Sequence, residues 1–288
     1  MKLLKKILLP TDFSEASMKA VDQACTVAKA YGSEIMLLHV IPEIAGSPVA
    51  IDSLQRSALA QLSQLEATIA EKKIGPVRKS VVTGSPFDQI IRHADAHDVN
   101  VILLGNGSKG AEDKYQLGIT AEKVIRKSSR PVWVVKEGNT AKIDTILCPV
   151  DFSPAAQRAL RNAVSLSRTF NAKLNILTVI ENLSNLYPGR PLIEPEAQGT
   201  YSRDQEEQFK RFVRDFDFSG LSSEKIVVHG VPHEEIIRFA RQAGSRLMVL
   251  GSEGRTGLAR ILLGSVAEKV VRELPCSVIT VKAERLID

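Results

Sequence analysis

The sequence predicts an α/β protein built from two repeated domains, each an open five-stranded parallel sheet with helices on both faces. Three observations predict it. The chain repeats itself at long period. Each repeat alternates short apolar runs with stretches of helical periodicity. Glycine clusters follow the apolar runs, at the strand ends where such sheets hold their ligands.

The repeat is direct. Ile7-Leu8-Leu9-Pro10-Thr11-Asp12-Phe13-Ser14 returns 139 residues later as Ile146-Leu147-Cys148-Pro149-Val150-Asp151-Phe152-Ser153. Val81-Val82-Thr83-Gly84-Ser85-Pro86 returns 146 residues later as Val227-Val228-His229-Gly230-Val231-Pro232, and Ala121-Glu122-Lys123-Val124 returns at that same shift. The growth by seven residues is expected between 181 and 226, absorbed by a surface loop in the Pro- and Gly-bearing stretch 181–199. The period is too long for a solenoid unit. It reads as two domains, 1–139 and 140–288, joined near 137–142. Each copy serves as a control for the other: agreement points to the fold, divergence to function.

Within the first copy, Lys6–Pro10 is a short apolar run read as a buried strand. A helix follows from Ser14 to Tyr31, with Ala16, Ala20, Ala24, Val27 and Ala28 at helical spacing and Gly32 as its stop. Residues 34–40 read as a second strand, 53–73 as a second helix and 78–82 as a third strand. Pro86 opens a third helix, because its fixed φ suits the first turn. Residues 101–104 form a fourth strand ending in glycine, 120–127 a fourth helix, and Val132–Val135 the last strand. The second copy repeats this order from Thr145 to Lys282.

Composition narrows the class. The chain is 44% hydrophobic and 25% charged, as in soluble globular proteins. A net charge of +5 spread along the chain forms no basic stripe, and 5% aromatics supply few stacking platforms, so no nucleic-acid partner is expected. The apolar run near Met1 is too short for a signal peptide, and its counterpart lies in mid-chain, so it reads as a strand. No segment reaches the roughly 18 apolar residues of a spanning helix, so no membrane insertion is expected. Cys25, Cys148 and Cys276 lie far apart and read as buried thiols of a reducing, cytoplasmic protein.

The sharpest signal follows the strand that ends at Leu250. Gly251-Ser252-Glu253-Gly254 leads, after nine residues, to Gly264-Ser265-Val266 and a helix. Glycines at 251 and 254 would let backbone N–H groups approach an anion, a helix N-terminus favours phosphate, and Arg255 and Arg260 add positive charge. The nine-residue excursion distinguishes the pattern from both the Walker loop and the compact dinucleotide fingerprint. A plainer reading stands beside it. Ser265-Val266-Ala267-Glu268 is a capping box in which Ser265 would only cap its helix, and Gly251 would be a simple strand exit. Asp12 and Asp151, each followed by Phe-Ser, likewise read as turn-formers or as ligand contacts. In such sheets the chemistry is expected just after the strands, at Pro149-Val150-Asp151, after Val179 and after Leu250.

Pro-x-Asp-Phe-Ser, Gly-x-Pro before the third helix, and Gly-x2-Gly-x9-Gly-Ser in series resemble a tandem universal stress protein over residues 3–283, a Rossmann-like, adenine nucleotide alpha hydrolase-like fold. The last pattern is similar to that of the family's ATP-binding branch. The resemblance implies ATP in the second copy, with Mg²⁺ admitted beside it. It places Asp151 near the adenosine, gives Val179 a backbone contact to adenine, and puts Gly251, Gly254, Gly264 and Ser265 on the phosphates, with Val266 adjacent. Pro149, Val150 and Arg255 complete the expected set. The resemblance also implies pairing of the terminal strands, Val132–Val135 with 278–281, as an internal pseudo-dimer. A homodimer and a regulatory protein partner are admitted.

The first copy departs from the pattern. Gly251, Gly254, Gly264 and Ser265 correspond to Gly105, Ser108, Gly118 and Ile119. ATP is not expected there, and the pocket is left empty, filled by side chains, or open to another ligand. His93 and His97 share a helical face with Asp98 near, but without a third ligand they read as a solvated face rather than a metal site. His229 and His233, which flank Gly230-Val231-Pro232, read as an exposed polar loop. No Gly-x-Ser-x-Gly elbow or paired carboxylates point to catalysis. The leading expectation is an ATP-binding stress or signalling module. A weak ATPase, with Asp151 positioning water and Mg²⁺ neutralising the phosphates, is the second. A non-nucleotide interaction module is the third.

Overall fold

The computed structural model describes residues 4–43, 48–107, 117–136, 142–186, 194–253 and 263–283. The first repeat runs β1 (Lys6–Pro10), α1 (Glu15–Tyr31), β2 (Glu34–Ile41), α2 (Pro48–Glu71), β3 (Val77–Thr83), α3 (Pro86–Ala96), β4 (Val101–Gly105), α4 (Ile119–Lys127) and β5 (Val132–Val135). The second runs β6 (Thr145–Pro149), α5 (Pro154–Phe170), β7 (Lys173–Ile180), α6 (Leu183–Leu186), α7 (Pro195–Arg214), β8 (Ser223–His229), α8 (Pro232–Gln242), β9 (Leu247–Gly251), α9 (Ser265–Glu273) and β10 (Ser277–Val281). The chain divides into two compact units, Met1–Lys142 with Ser277–Ile279, and Ile143–Cys276 with Thr280–Asp288.

In the first unit the strand order is β3-β2-β1-β4-β5, and β1–β2, β2–β3, β1–β4 and β4–β5 are all parallel. In the second, β8-β7-β6-β9 repeats the order, and β6–β7, β7–β8 and β6–β9 are parallel. The predicted α/β class with repeated parallel sheets holds. Helices on both faces make the central strands apolar throughout: Ile7, Leu8 and Leu9, and Ile146, Leu147 and Cys148, are fully buried. The order reverses at β1/β4 and at β6/β9. There the first crossover leaves to one side and a later one to the other, which opens a crevice beyond the carboxyl ends of these strands.

Local chemistry fixes the helices around each crevice. Ser14 and Ser153 cap α1 and α5 by accepting the N–H groups of Ser17 and Ala156. Gly32 and Asn171 end those helices in the left-handed region, with φ of 65° and 50°, the two residue types that tolerate it best. Pro86 and Pro232 open α3 and α8. All three cysteines are buried. Burial pushes the Cys148 thiol far above its ordinary pKa, and it pushes Cys25 up as well.

The seven-residue growth is not confined to one loop. The segment between β7 and α7 (181–194) is eight residues longer than that between β2 and α2 (42–47). α7 is four residues shorter than α2, and the segment before β8 (215–222) is three longer than that before β3 (72–76). The stretch 181–199, expected as a loop, contains α6 and the start of α7. Pro195 at the first helical position starts α7 despite Gly199 inside it.

Candidate functional site

In each copy a tight turn carries the chain from the first strand into its helix. Phe13 and Phe152 adopt φ of 62° and 69°. That conformation costs a residue with a Cβ about 1–2 kcal/mol, so its presence in both copies shows what the turn requires. Ser153 N–H and Oγ donate to Asp151 Oδ1 at 3.1 and 2.6 Å, and Ser14 does the same to Asp12 Oδ1 at 3.0 and 2.5 Å. The turn-forming role of these aspartates is therefore real in both copies. Packing offsets the strain. Phe13 stacks on His39 at 4.7 Å, and Phe152 lies against Phe209 and Phe212 of α7 at 6.3 and 5.5 Å.

The same turn places Asp151 on the wall of a cavity of about 440 Å³ within the second unit. Pro149, Val150 and Asp151 line it from the end of β6, and Val179 from β7. Gly251 lines it from the end of β9, with Gly264, Ser265 and Val266 from the start of α9. Eight of the ten residues singled out in the sequence thus meet in one space. The other two, Gly254 and Arg255, lie outside the described residues, as do Arg260 and Ser108.

Backbone geometry explains why Val179 is useful. Val150 N–H donates to Leu177 O at 2.8 Å, and Gly230 N–H donates to Ile180 O at 3.1 Å. Peptide groups alternate along a strand. Leu177 and Val179 therefore both face the β6 side, and at Val179 β6 has already ended, since its last pair is Pro149 with Leu177. The Val179 N–H and carbonyl are turned toward the cavity.

Two expectations are corrected here. Ser265 is not a helix cap. Gly264 is the N-cap, with φ −59° and ψ 146° and no side-chain cap bond, and its carbonyl accepts the Glu268 N–H at 2.8 Å. Ser265 is the first helical residue, exposed, and at the cavity wall. Gly251 is more than a strand exit. A Cβ there would lie 2.8 Å from Ala156 N and 2.9 Å from Ala155 C, so glycine is needed for the close passage of β9 against α5. Gly105 repeats this against Ala16 O.

Sequence reasoning missed the far wall. Tyr201 and Gln205 of α7, one helical turn apart, line the cavity, as do Pro232 and Ile236 of α8. The four-residue spacing of Tyr201 and Gln205 was the available signal. Among the described lining residues the acidic side chains are Asp151 and Glu181, and no lysine or arginine is present. Positive potential comes from the N-terminus of α9, whose first N–H groups lack intrahelical acceptors.

The first unit holds a cavity in the matching place, of about 510 Å³, so its side chains do not fill it. Elsewhere, the His93 and His97 rings lie 4.2 Å apart, and burial followed by the neighbouring His97 lowers the His93 pKa. Among the described residues no three His, Cys, Asp or Glu side chains gather as a metal ion would need. His229 and His233 are not among the described residues lining the second cavity.

A model of the universal stress protein family matches the chain twice, over residues 4–136 and 142–282. The chain belongs to the universal stress protein family. It is a tandem member. A universal stress protein of Mycolicibacterium smegmatis is 25% identical over 305 residues, covering 96% of both chains. One from Methanocaldococcus jannaschii is 30% identical over 144 residues, 48% of this chain and 81% of its own. The crystal structure of a universal stress protein from Archaeoglobus fulgidus superposes with a TM-score of 0.77 at 24% identity, covering 99% of this chain and 100% of that one. That likeness is one of fold. No helix among the described residues is long and apolar enough to cross a membrane.

Proposed function

We propose that this universal stress protein binds ATP in the cavity of its second unit. The observation that carries the reading is the convergence of Asp151, Val179, Gly251, Gly264, Ser265 and Val266 on one space of about 440 Å³. That volume lies within the ordinary range for small-molecule sites, roughly 300–1,000 Å³. The donors fit the ligand. The inward-facing N–H and carbonyl of Val179 match the donor and acceptor on the edge of adenine. Asp151 retains acceptor capacity for ribose hydroxyls while Oδ1 holds the turn. The α9 N-terminus and the Ser265 hydroxyl meet the phosphates, where a helix end stabilises anions. Mg²⁺, where bound, supplies charge neutralisation to the phosphates. Glu181 at the wall of an already acidic site sets the ligand's direction, because phosphates are repelled from the β7 end and drawn to α9.

Titration of ATP into the full chain tests the reading. Ser265→Ala removes one donor to an anion and should weaken binding about tenfold, the usual worth of such a bond. Unchanged affinity in a folded variant contradicts it.

A further inference from the structure

The second cavity has a wall that the first lacks. Tyr201 and Gln205 of α7 line it, whereas no residue of α2, the helix at the same place in the first repeat, is among the described residues lining the first cavity. Aromatic packing accounts for the difference. Phe13 stacks on His39 of β2. Thr178 stands at the matching place in β7, and Phe152 lies against Phe209 and Phe212 of α7 instead. Phe209 is buried, so α7 is clamped beside the Asp151 turn. Its first turns are fastened separately. Gln198 Oε1 accepts the Leu183 N–H at 2.8 Å, and Gln198 Nε2 donates to Ser202 Oγ at 3.2 Å. Leu183 lies just beyond Glu181 on the way out of β7, and α7 packs on β7. Tyr201 and Gln205 are therefore held at the β7 end of the cavity, the end of Val179, rather than at α9.

That end needs a group that discriminates. A strand peptide offers one donor and one acceptor. Adenine can meet them with N1 and its N6 amino group, and guanine can meet them with O6 and N1–H. The Val179 peptide thus recognises a purine edge without choosing the purine. A carboxamide chooses. Gln205 carries both a donor and an acceptor, which match N7 and the N6 amino group of adenine. The same edge of guanine shows N7 and O6, two acceptors, and sets O6 against the amide oxygen. Gln205 Nε2 also reaches Gln208 Oε1 at 3.5 Å, too long a bond to hold the amide against a ligand. Tyr201, one turn before Gln205 and half-buried, offers a flat ring on which any base stacks.

We infer that α7 makes the second cavity selective for adenine over guanine, with Gln205 reading the base and Tyr201 stacking on it. This selectivity rests on the ATP reading of the same cavity. Calorimetric titration of ATP and of GTP into the full chain reads it as a ratio of affinities. The wild-type chain should prefer ATP about tenfold, the worth of one bidentate base contact. Gln205→Met keeps the length and the helix preference but loses the amide, and should bring the ratio to about one. Gln205→Arg presents two donors to N7 and O6 and should turn the preference toward GTP. Tyr201→Ala should weaken both nucleotides about tenfold and leave the ratio in place. A folding defect lowers both affinities together and does not move the ratio. ATP and GTP bound alike by the wild-type chain, or an ATP preference that survives Gln205→Met, would overturn this inference and leave the ATP reading standing. A wild-type chain that binds neither nucleotide would overturn both.

Discussion

Replacing Gly251 with alanine separates two roles that a glycine beside a cavity can have. Neither Gly251 nor Gly105 has a positive φ, so alanine meets no conformational penalty at either position. The penalty is spatial. The new methyl at 251 would sit 2.8 Å from Ala156 N and 2.9 Å from Ala155 C, about 0.7 Å inside an ordinary contact. These are backbone atoms of the first turn of α5, pinned by the Ser153 cap, and they cannot swing aside as a long side chain would. Overpacking costs roughly 1–3 kcal/mol, and a rigid neighbour puts the value near the upper end, about 2–3 kcal/mol. At roughly 2–4 °C per kcal/mol for a domain of this size, the transition of the second unit should fall by about 5–10 °C without any ligand present. Gly105→Ala, with its methyl driven against Ala16 O, should cost at least as much in the first unit. Differential scanning calorimetry reads both. A Gly251→Ala chain as stable as wild type within about 0.5 kcal/mol would refute the packing argument and return the glycine to a purely ligand-facing role.

Ser153→Ala removes the acceptor for Ala156 N–H and the donor to Asp151, so it should lose about 1 kcal/mol in denaturant unfolding and also weaken ATP. Ser265→Ala should leave stability within about 0.3 kcal/mol of wild type, because Gly264 and not Ser265 is the cap; a loss near 1 kcal/mol would restore the capping reading. Cys148, fully buried and with its thiol pushed far up, should resist thiol reagents at neutral pH until the second unit unfolds, and rapid labelling of the native chain would contradict its burial. The depressed Asp12 pKa stabilises the fold at pH values above the unfolded carboxyl value near 4, and this contribution is lost as pH falls through the folded value; Asp12→Asn should flatten that part of the acid-stability curve.

The fold was legible because its signals are local and duplicated. Lys6–Pro10 and Val132–Val135 stand where the apolar runs placed them, and Gly32, Pro86 and Pro232 punctuate the helices as their backbone preferences require. The near wall of the site was legible for the same reason, since strand ends and glycines mark it. The capping box misled by one residue, because Gly264 takes the extended cap conformation and Ser265 enters the helix. Tyr201 and Gln205 were hidden because they lie on the helix after the variable connection, where the two copies lose register and neither controls the other. The packing role of Gly105 and Gly251 depends on helices far earlier in the chain, at Ala16 and at Ala155–Ala156, and no local pattern reports it.

In the proposed site, Asp151, Val179 and the α9 N-terminus together hold nucleotide in the second unit. Calorimetric titration of ATP with Mg²⁺ into the full wild-type chain measures this. A single equivalent of ATP should bind per chain, weakened about tenfold by Ser265→Ala. No binding, or two equivalent sites of which Ser265→Ala weakens neither, would contradict it.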